Sequence, residues 1–245
     1  MNARLTGRRL LLTRSAEDCA GWAEALTAEG ALPIVFPCIA TELCEEPGLT
    51  ERITAAAAEA DWIVFTSRRG VDAFAELIAA GTPMSAKLAA VGETTARHLG
   101  ETMGEVDLVG GGTAARLAGE LAHVVRENDS ILLALAANAG DVLERVLTGA
   151  GAAVTRCNVY RTVAAPRAES RRALSTLGSD TVIFASPSAV TGFENQISVD
   201  IAQQIVTIGP STSAAVRKHN WEVAAEAKEP NLNGIIESIL ETDHV

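Results

Sequence analysis

Aromatic side chains are scarce in this 245-residue chain, 4% in all, and only one of them, Tyr160, is a tyrosine. The core must therefore be mainly aliphatic, and the single phenol is conspicuous wherever the fold places it. The four cysteines, Cys19, Cys38, Cys44 and Cys157, form no C-x-x-C pair and match no structural-zinc spacing. They read as reduced thiols, two or three of them packed as small apolar residues. His98, His123, His219 and His244 are dispersed, with no H-E-x-x-H, so a metal hydrolase has no ligands to start from. The phosphate-binding G-x-x-x-x-G-K-[ST] and the nucleophile elbow G-x-S-x-G are missing as well. No apolar run reaches the roughly 18 residues needed to cross a bilayer, and Met1 to Arg9 leads into a strand-length Leu10 to Leu12 rather than a signal-peptide core. A soluble, cytoplasmic protein is expected. Basic residues are outnumbered, 20 Lys and Arg against 31 Asp and Glu, for a net charge of -11. That sign excludes a surface built to hold nucleic acid or an anionic membrane, so any anionic ligand must be held by local geometry.

What is present is a regular alternation of short apolar runs with helical stretches. Arg9 to Thr13 reads as a buried strand and Ser15 to Glu29 as a helix, with Ser15 as N-cap, Cys19, Trp22 and Leu26 at helical spacing, and Gly30 at its end. Further strands are predicted at Ala31 to Val35, Trp62 to Thr66, Lys87 to Val91, Val106 to Val109, Ile131 to Leu135, Ala152 to Thr155, Thr181 to Ala185, Ile205 to Ile208 and Glu222 to Ala225. Their continuous apolarity implies strands covered on both faces, hence parallel α/β sheets. Trp22, Trp62 and Trp221 are expected in the core.

The chain also repeats itself. Asp61-Trp62-Ile63-Val64-Phe65-Thr66-Ser67, with Val71 and Phe74, returns 119 residues later as Asp180-Thr181-Val182-Ile183-Phe184-Ala185-Ser186, with Val190 and Phe193. Val91-Gly92-Glu93-Thr94-Thr95 is echoed by Ile208-Gly209-Pro210-Ser211-Thr212, and Leu10 to Val35 resembles Ile131 to Thr155. The blocks read a, b, a, b. Two domains can close in sequence, or the middle b and a can pair while the chain ends form the second domain, and periodicity does not choose. Strand-forming segments at Pro37 to Leu43 and Asn158 to Val163 lie where a nested domain would be entered and left, which favours nesting with a two-stranded bridge.

Ligands of open α/β sheets bind beyond the carboxyl ends of strands, where helix N-termini offer N–H groups. Each repeat places hydroxyls there: Thr66, Ser67, Thr94 and Thr95 in one half, Ser186, Ser211 and Thr212 in the other. Singly these are good helix caps. Repeated in two facing domains, they would line an uncharged but electropositive cleft suited to a ligand with many carboxylates or phosphates. Tyr160, in the presumed bridge, packs as an amphipathic strand residue or donates a proton to a leaving group. Gly110-Gly111-Gly112-Thr113-Ala114-Ala115 fits G-x-G-x-x-A, but no acidic residue closes the next strand, so the glycines read as a permissive turn and not as a dinucleotide site.

Phe65-Thr66-Ser67-Arg68-Arg69-Gly70-Val71, Val91-Gly92-Glu93-Thr94-Thr95, Val159-Tyr160-Arg161-Thr162, Phe184-Ala185-Ser186-Pro187-Ser188-Ala189-Val190, Ile208-Gly209-Pro210-Ser211-Thr212 and Glu229-Pro230-Asn231-Leu232, in this order, resemble the uroporphyrinogen-III synthase family, from about Leu10 to Ile239. The resemblance implies two flavodoxin-like α/β domains with parallel sheets flanked by helices: a discontinuous one, 1–36 plus 164–245, and a nested one, 37–163, joined by a two-stranded β-ladder. It implies a lyase that closes linear hydroxymethylbilane to uroporphyrinogen III, with loss of water and inversion of the terminal ring through a spiro intermediate, and with no cofactor and no metal. The substrate carries eight carboxylates, and the work is chiefly orientation, because free bilane closes by itself to the unrotated type I isomer. By the resemblance Tyr160 lies nearest the leaving hydroxyl, while Arg14, Thr66, Ser67, Thr95, Asn138, Ser186, Ser211 and Thr212 hold substrate carboxylates. Ala136-Ala137-Asn138 stands where many bacterial members carry Arg-Gly, Ala185 replaces a commoner Thr or Ser, and Gly112-Thr113 stands where Pro-Thr is frequent. The implied partners are the bilane and, transiently, the hydroxymethylbilane synthase that supplies it; nucleic acid and membrane are not expected, and a monomer is. The competing expectation is a non-catalytic two-domain protein that binds an anionic metabolite.

Overall fold

The computed structural model describes residues 3–242. They divide into two compact units, one made of the residues up to Ala40 and from Val163 onward, the other Thr41–Thr162. In chain order the first unit begins with β1 (Arg9–Leu12), α1 (Ala16–Ala28) and β2 (Leu32–Val35). There follow β3 (Ile39–Leu43), α2 (Leu49–Glu59), β4 (Trp62–Phe65), α3 (Arg68–Leu77), β5 (Lys87–Ala90), α4 (Glu93–Met103) and β6 (Leu108–Val109). After them come α5 (Ala114–Ala122), β7 (Ser130–Ala136), α6 (Val142–Gly149) and β8 (Ala153–Ala164). The first unit is completed by β9 (Arg172–Ala173), β10 (Thr181–Phe184), α7 (Pro187–Gln196), β11 (Ile197–Ser198), β12 (Gln204–Thr207), α8 (Pro210–Lys218), β13 (Ala225–Glu226) and α9 (Leu232–Thr242). The chain leaves the first unit within β3 and returns within β8, and these two strands are hydrogen-bonded neighbours.

Among the described residues the main sheet of the first unit runs β13-β12-β10-β1-β2, with every neighbouring pair parallel. The sheet of the second runs β3-β8-β7-β4-β5-β6. Its β8-β7-β4-β5-β6 part is parallel and has the same spatial order as the first sheet once the repeated blocks are matched. Both orders are flavodoxin-like. The architecture is thus α/β with helices on both faces of each sheet, as the uninterrupted apolar strands predict.

Strand alternation sorts the core. In the first unit Leu10, Leu12, Ile183 and Val206 pack on α1 and α9, while Leu11, Val182, Phe184 and Ile205 pack on α7 and α8. In the second, Ile63, Phe65, Leu132 and Ala134 pack on α2, α3 and α4, while Trp62, Val64, Ile131 and Leu133 pack on α5 and α6. The repeat extends to ring geometry. Phe65 meets Phe74 edge-on with centroids 5.4 Å apart, and Phe184 meets Phe193 edge-on at 5.3 Å.

Several expectations need correction. The outer strands are shorter than predicted and displaced along the chain: β6 holds only Leu108–Val109, and β13 is Ala225–Glu226. Val106 and Val223 spend their apolarity on packing against the core rather than on ladder pairing. The two predicted strands around Ala152 and Asn158 are one twelve-residue strand, β8, because Arg156 and Cys157 continue the ladder opposite Leu133 and Ala134. Trp62 is buried, but Trp22 and Trp221 are half-buried at core margins. All four cysteines are buried.

One irregularity matters for the site. Leu135 pairs with Asn158 but Ala136 pairs with Tyr160, so β8 carries an extra residue, Val159, at this step. Val159 and Tyr160 consequently pack into the same core beneath α3. No helix among the described residues is long and apolar enough to cross a membrane.

Candidate functional site

The site elements lie beyond the carboxyl ends of the parallel strands, and each unit is described by itself. In the second unit β4 ends at Phe65, Thr66 follows half-buried, and Ser67 caps α3 by accepting the Gly70 N–H at 3.0 Å. Tyr160 reaches this point from β8. It is 7% exposed, its ring belongs to the core, and its hydroxyl is 3.0 Å from Ser67 Oγ. The Tyr160 carbonyl accepts from Ala137 N at 2.8 Å, and that of Val159 from Cys44 N at 3.1 Å, so the strand is pinned on either side.

Thr95 lies in the first turn of α4 and is buried, and Thr94 before it is exposed. Neither caps the helix. Gly92 occupies that position without a side-chain bond, which leaves first-turn N–H groups to a ligand or water. A Cβ on Gly92 would come within 3.2 Å of Gly112 Cα, and Gly112 has φ +86° and donates to Val91 O at 2.8 Å. The glycine run is therefore a turn folded against the start of α4, as its reading as a permissive turn requires.

Asn138 is exposed in the turn after β7. That turn is held by Arg156, a residue sequence reasoning missed. Its guanidinium donates to Ala139 O at 3.0 Å, Ala136 O at 3.2 Å, Glu144 Oε2 at 2.8 Å and Asn158 Oδ1 at 2.8 Å. An arginine next to the buried Cys157 in a strand-forming run was the available signal.

The first unit repeats the pattern with different fittings. Ser186 caps α7 by accepting from Ala189 N at 3.1 Å and lies 3.0 Å from Ser188 Oγ. α8 opens on Gly209 without a side-chain cap; Ser211 is exposed, while Thr212 is buried at 1% exposure. The expected capping by the Thr94-Thr95 and Ser211-Thr212 pairs is thus replaced by glycine caps, because α4 and α8 begin two or three residues earlier. Arg14 follows β1, pairs with Asp18 at 3.5 Å and covers the Trp22 ring at 4.7 Å. Also missed was a hydroxyl chain of Thr207, Ser213 and Glu226, with Oγ1 to Oγ 2.6 Å and Ser213 donating to Glu226. The matching positions of the second unit hold Ala90, Ala96 and Val109.

Geometry thus brings Thr66, Ser67 and Tyr160 together, and places Thr95 and Asn138 on neighbouring strand ends of the same sheet. Ser186, Ser211, Thr212 and Arg14 form the counterpart in the other unit. Burial pushes the thiols of Cys19, Cys38, Cys44 and Cys157 up, which keeps them protonated and poor nucleophiles near neutral pH. No group of three His, Cys, Asp or Glu side chains among the described residues is arranged to hold a metal ion.

Two flavodoxin-like units, duplicated and nested, with hydroxyls and open helix N-termini at the strand ends, define a class of paired α/β proteins. Two crystal structures share this fold over nearly the whole chain. The uroporphyrinogen-III synthetase of Helicobacter pylori has a TM-score of 0.55 at 17% identity, covering 96% of this chain and 99% of that one. A mutant uroporphyrinogen III synthase of Thermus thermophilus has a TM-score of 0.51 at 18% identity, covering 97% and 99%. The family model described as uroporphyrinogen-III synthase HemD matches residues 20–237, and the chain belongs to the uroporphyrinogen-III synthase family. The chloroplastic uroporphyrinogen-III synthase of Oryza sativa is 32% identical over 191 residues, covering 74% of this chain and 63% of that protein. The porphyrin biosynthesis protein HemD of Ruminiclostridium josui is 27% identical over 256 residues, covering 98% and 50%. The chain thus spans about half to two-thirds of the length of these two relatives.

Proposed function

We propose that this protein converts hydroxymethylbilane to uroporphyrinogen III, as a lyase that releases water. The observation that carries the reading is the Tyr160 hydroxyl, held against Ser67 at a strand end in a member of this family. Tyr160 supplies a hydrogen bond or proton to the departing hydroxyl, which leaves as water as the C–O bond breaks. Backbone N–H groups and hydroxyls at the strand ends hold most of the carboxylates, at Thr66, Ser67 and Thr95 in one unit and at Ser186, Ser211 and Thr212 in the other, joined by the Asn138 amide and the Arg14 guanidinium. Neutral donors suit a chain with net charge -11, since each binds a carboxylate without an added cation. Rate comes mainly from folding the bilane so that the inverted terminal ring closes before the unrotated one.

In this reading the protein is a cytosolic monomer, its domains are 1–36 with 164–245 and 37–163, and it meets the bilane-producing synthase transiently. The test generates hydroxymethylbilane in situ with a deaminase, adds this protein, oxidises the products and separates uroporphyrin I from III. Type III is expected. Type I alone from folded protein, with saturable bilane binding, refutes catalysis and supports the binding-protein alternative.

A further inference from the structure

The repeat provides its own control for the role of Ser67. Ser67 and Ser186 occupy matching positions with nearly identical backbones, φ -162°, ψ 156° and φ -164°, ψ 156°, and both accept the N–H three residues on. Capping is therefore common to both. The second bond differs: Ser186 lies against Ser188, whereas Ser67 lies against Tyr160. The residue it caps differs too. Gly70 stands where the other unit has Ala189; a Cβ there would come 3.2 Å from Ala134 O, 3.3 Å from Ser67 Oγ and 3.9 Å from Tyr160 Cε1. The second unit has given up a methyl group where the tyrosine ring and the serine hydroxyl converge.

A serine hydroxyl has one proton and two lone pairs. Gly70 N–H occupies one lone pair, and the donor at a helix N-terminus withdraws electron density from the oxygen, which strengthens Ser67 O–H as a donor. We propose that Ser67 is a positioning residue: it accepts from Gly70 and donates its proton to Tyr160 Oη, which leaves the Tyr160 proton to point at the ligand. This rests on the reading of Tyr160 given above and reassigns Ser67 from holding a carboxylate to steering the phenol. If Tyr160 gives its proton to the leaving hydroxyl, the same Ser67 O–H stabilises the phenolate left behind. The bond runs from Ser67 to Tyr160 throughout, so no rotation is needed during the reaction.

The experiment compares the parent, S67A, S67T, Y160F and S67A/Y160F. Expected are a fall of about tenfold or more in kcat for S67A with little change in KM, retention by S67T, and no further loss from S67A in the Y160F background. Multiplicative losses, or a change in KM alone, overturn the proposal, because a lost cap or a lost carboxylate contact acts without the phenol. A second arm needs no substrate. Tyr160 is the chain's only tyrosine, so the tyrosine ring-mode doublet in ultraviolet Raman reports it alone. The intensity ratio should mark a phenol oxygen that accepts a hydrogen bond in the parent and S67T, and should drop in S67A. A ratio marking a donating phenol with no acceptance, or one unchanged in S67A, overturns the proposal. If the parent yields no type III product, the function falls and the Raman arm still decides the orientation.

Discussion

Replacing Gly192 with alanine tests how the returning chain is fastened in the first unit. A Cβ on Gly192, inside α7, would fall 1.7 Å from Cys38 O and 2.8 Å from Ala165 N. Both are backbone atoms, so no side chain can swing aside, and the contact must open by about 1.3 Å to reach even the 3.0 Å limit. The atoms displaced are themselves bonded: Ala165 N donates to Cys38 O at 2.8 Å, Asn195 Nδ2 to Ala165 O at 2.8 Å and Gln196 Nε2 to Pro37 O at 3.1 Å. Overpacking costs about 1–3 kcal/mol, and losing one or two of these bonds adds about 1 kcal/mol each. The helix gains about 1 kcal/mol from Gly to Ala. The net expectation is a destabilisation of about 1–4 kcal/mol, which lowers a urea midpoint by ~0.5–2 M at an m-value of about 2 kcal/mol/M. Gly100, in α4 with nothing within 4 Å of its virtual Cβ, provides the opposite sign. Gly100→Ala should be neutral or stabilising by up to about 1 kcal/mol. Equal midpoints for Gly192→Ala and the parent would refute the close approach.

Tyr160→Phe should lower turnover substantially without abolishing it, because most of the rate comes from orienting the bilane; a single-turnover assay giving the parent rate ends the catalytic role of the hydroxyl. Arg156→Met should cost about 1–3 kcal/mol by leaving the Ala136 and Ala139 carbonyls without their donor, and should speed hydrogen exchange at residues 137–140. Unchanged exchange there means the turn holds itself. Stability should also fall with rising pH once the unfolded thiols ionise, from about pH 8.5. All four folded thiols stay protonated above that value, so the unfolded chain binds fewer protons and is favoured, by up to about 1.4 kcal/mol per thiol per pH unit. Denaturation midpoints at pH 7 and 10 check this, and Cys38→Ala should flatten the fall; an equal fall in that variant removes Cys38 from the account.

The duplication made most of the fold legible. Residues such as Phe65 and Phe184 keep their spacing to Phe74 and Phe193 because the same edge-on contact is built twice, and the serine caps of α3 and α7 follow from the same register. Helices opening on glycine are harder to place, since Gly92 and Gly209 carry no capping group to mark the boundary, and Thr95 and Thr212, read as caps, are the third residues of α4 and α8. Val106 and Val223 look like strand residues because burial against a helix and burial in a ladder draw on the same apolar side chains. The contact of Ser67 with Tyr160 joins residues 93 apart, and nothing local in either segment encodes it. The partners of Arg156 were illegible for a related reason: among its acceptors are the main-chain carbonyls of Ala136, Ala139 and Gly140, which have no sequence signature.

The extra residue in β8 makes the phenol's address a matter of odd and even. Arg156 and Asn158 pair with Leu133 and Leu135, whose side chains pack on α5 and α6, and simple alternation would send Tyr160 to that side as well. Val159 breaks the count, and Tyr160 emerges on the α3 side. Straightening the ladder with Val159 kept in register opposite Ala136 would turn the chain's only tyrosine to the opposite face of its sheet, whereas deleting Val159 would leave Tyr160 opposite Ala136 and on its present face. The pairing step opposite Ala136, and not the tyrosine's place in the motif, sets the face it serves.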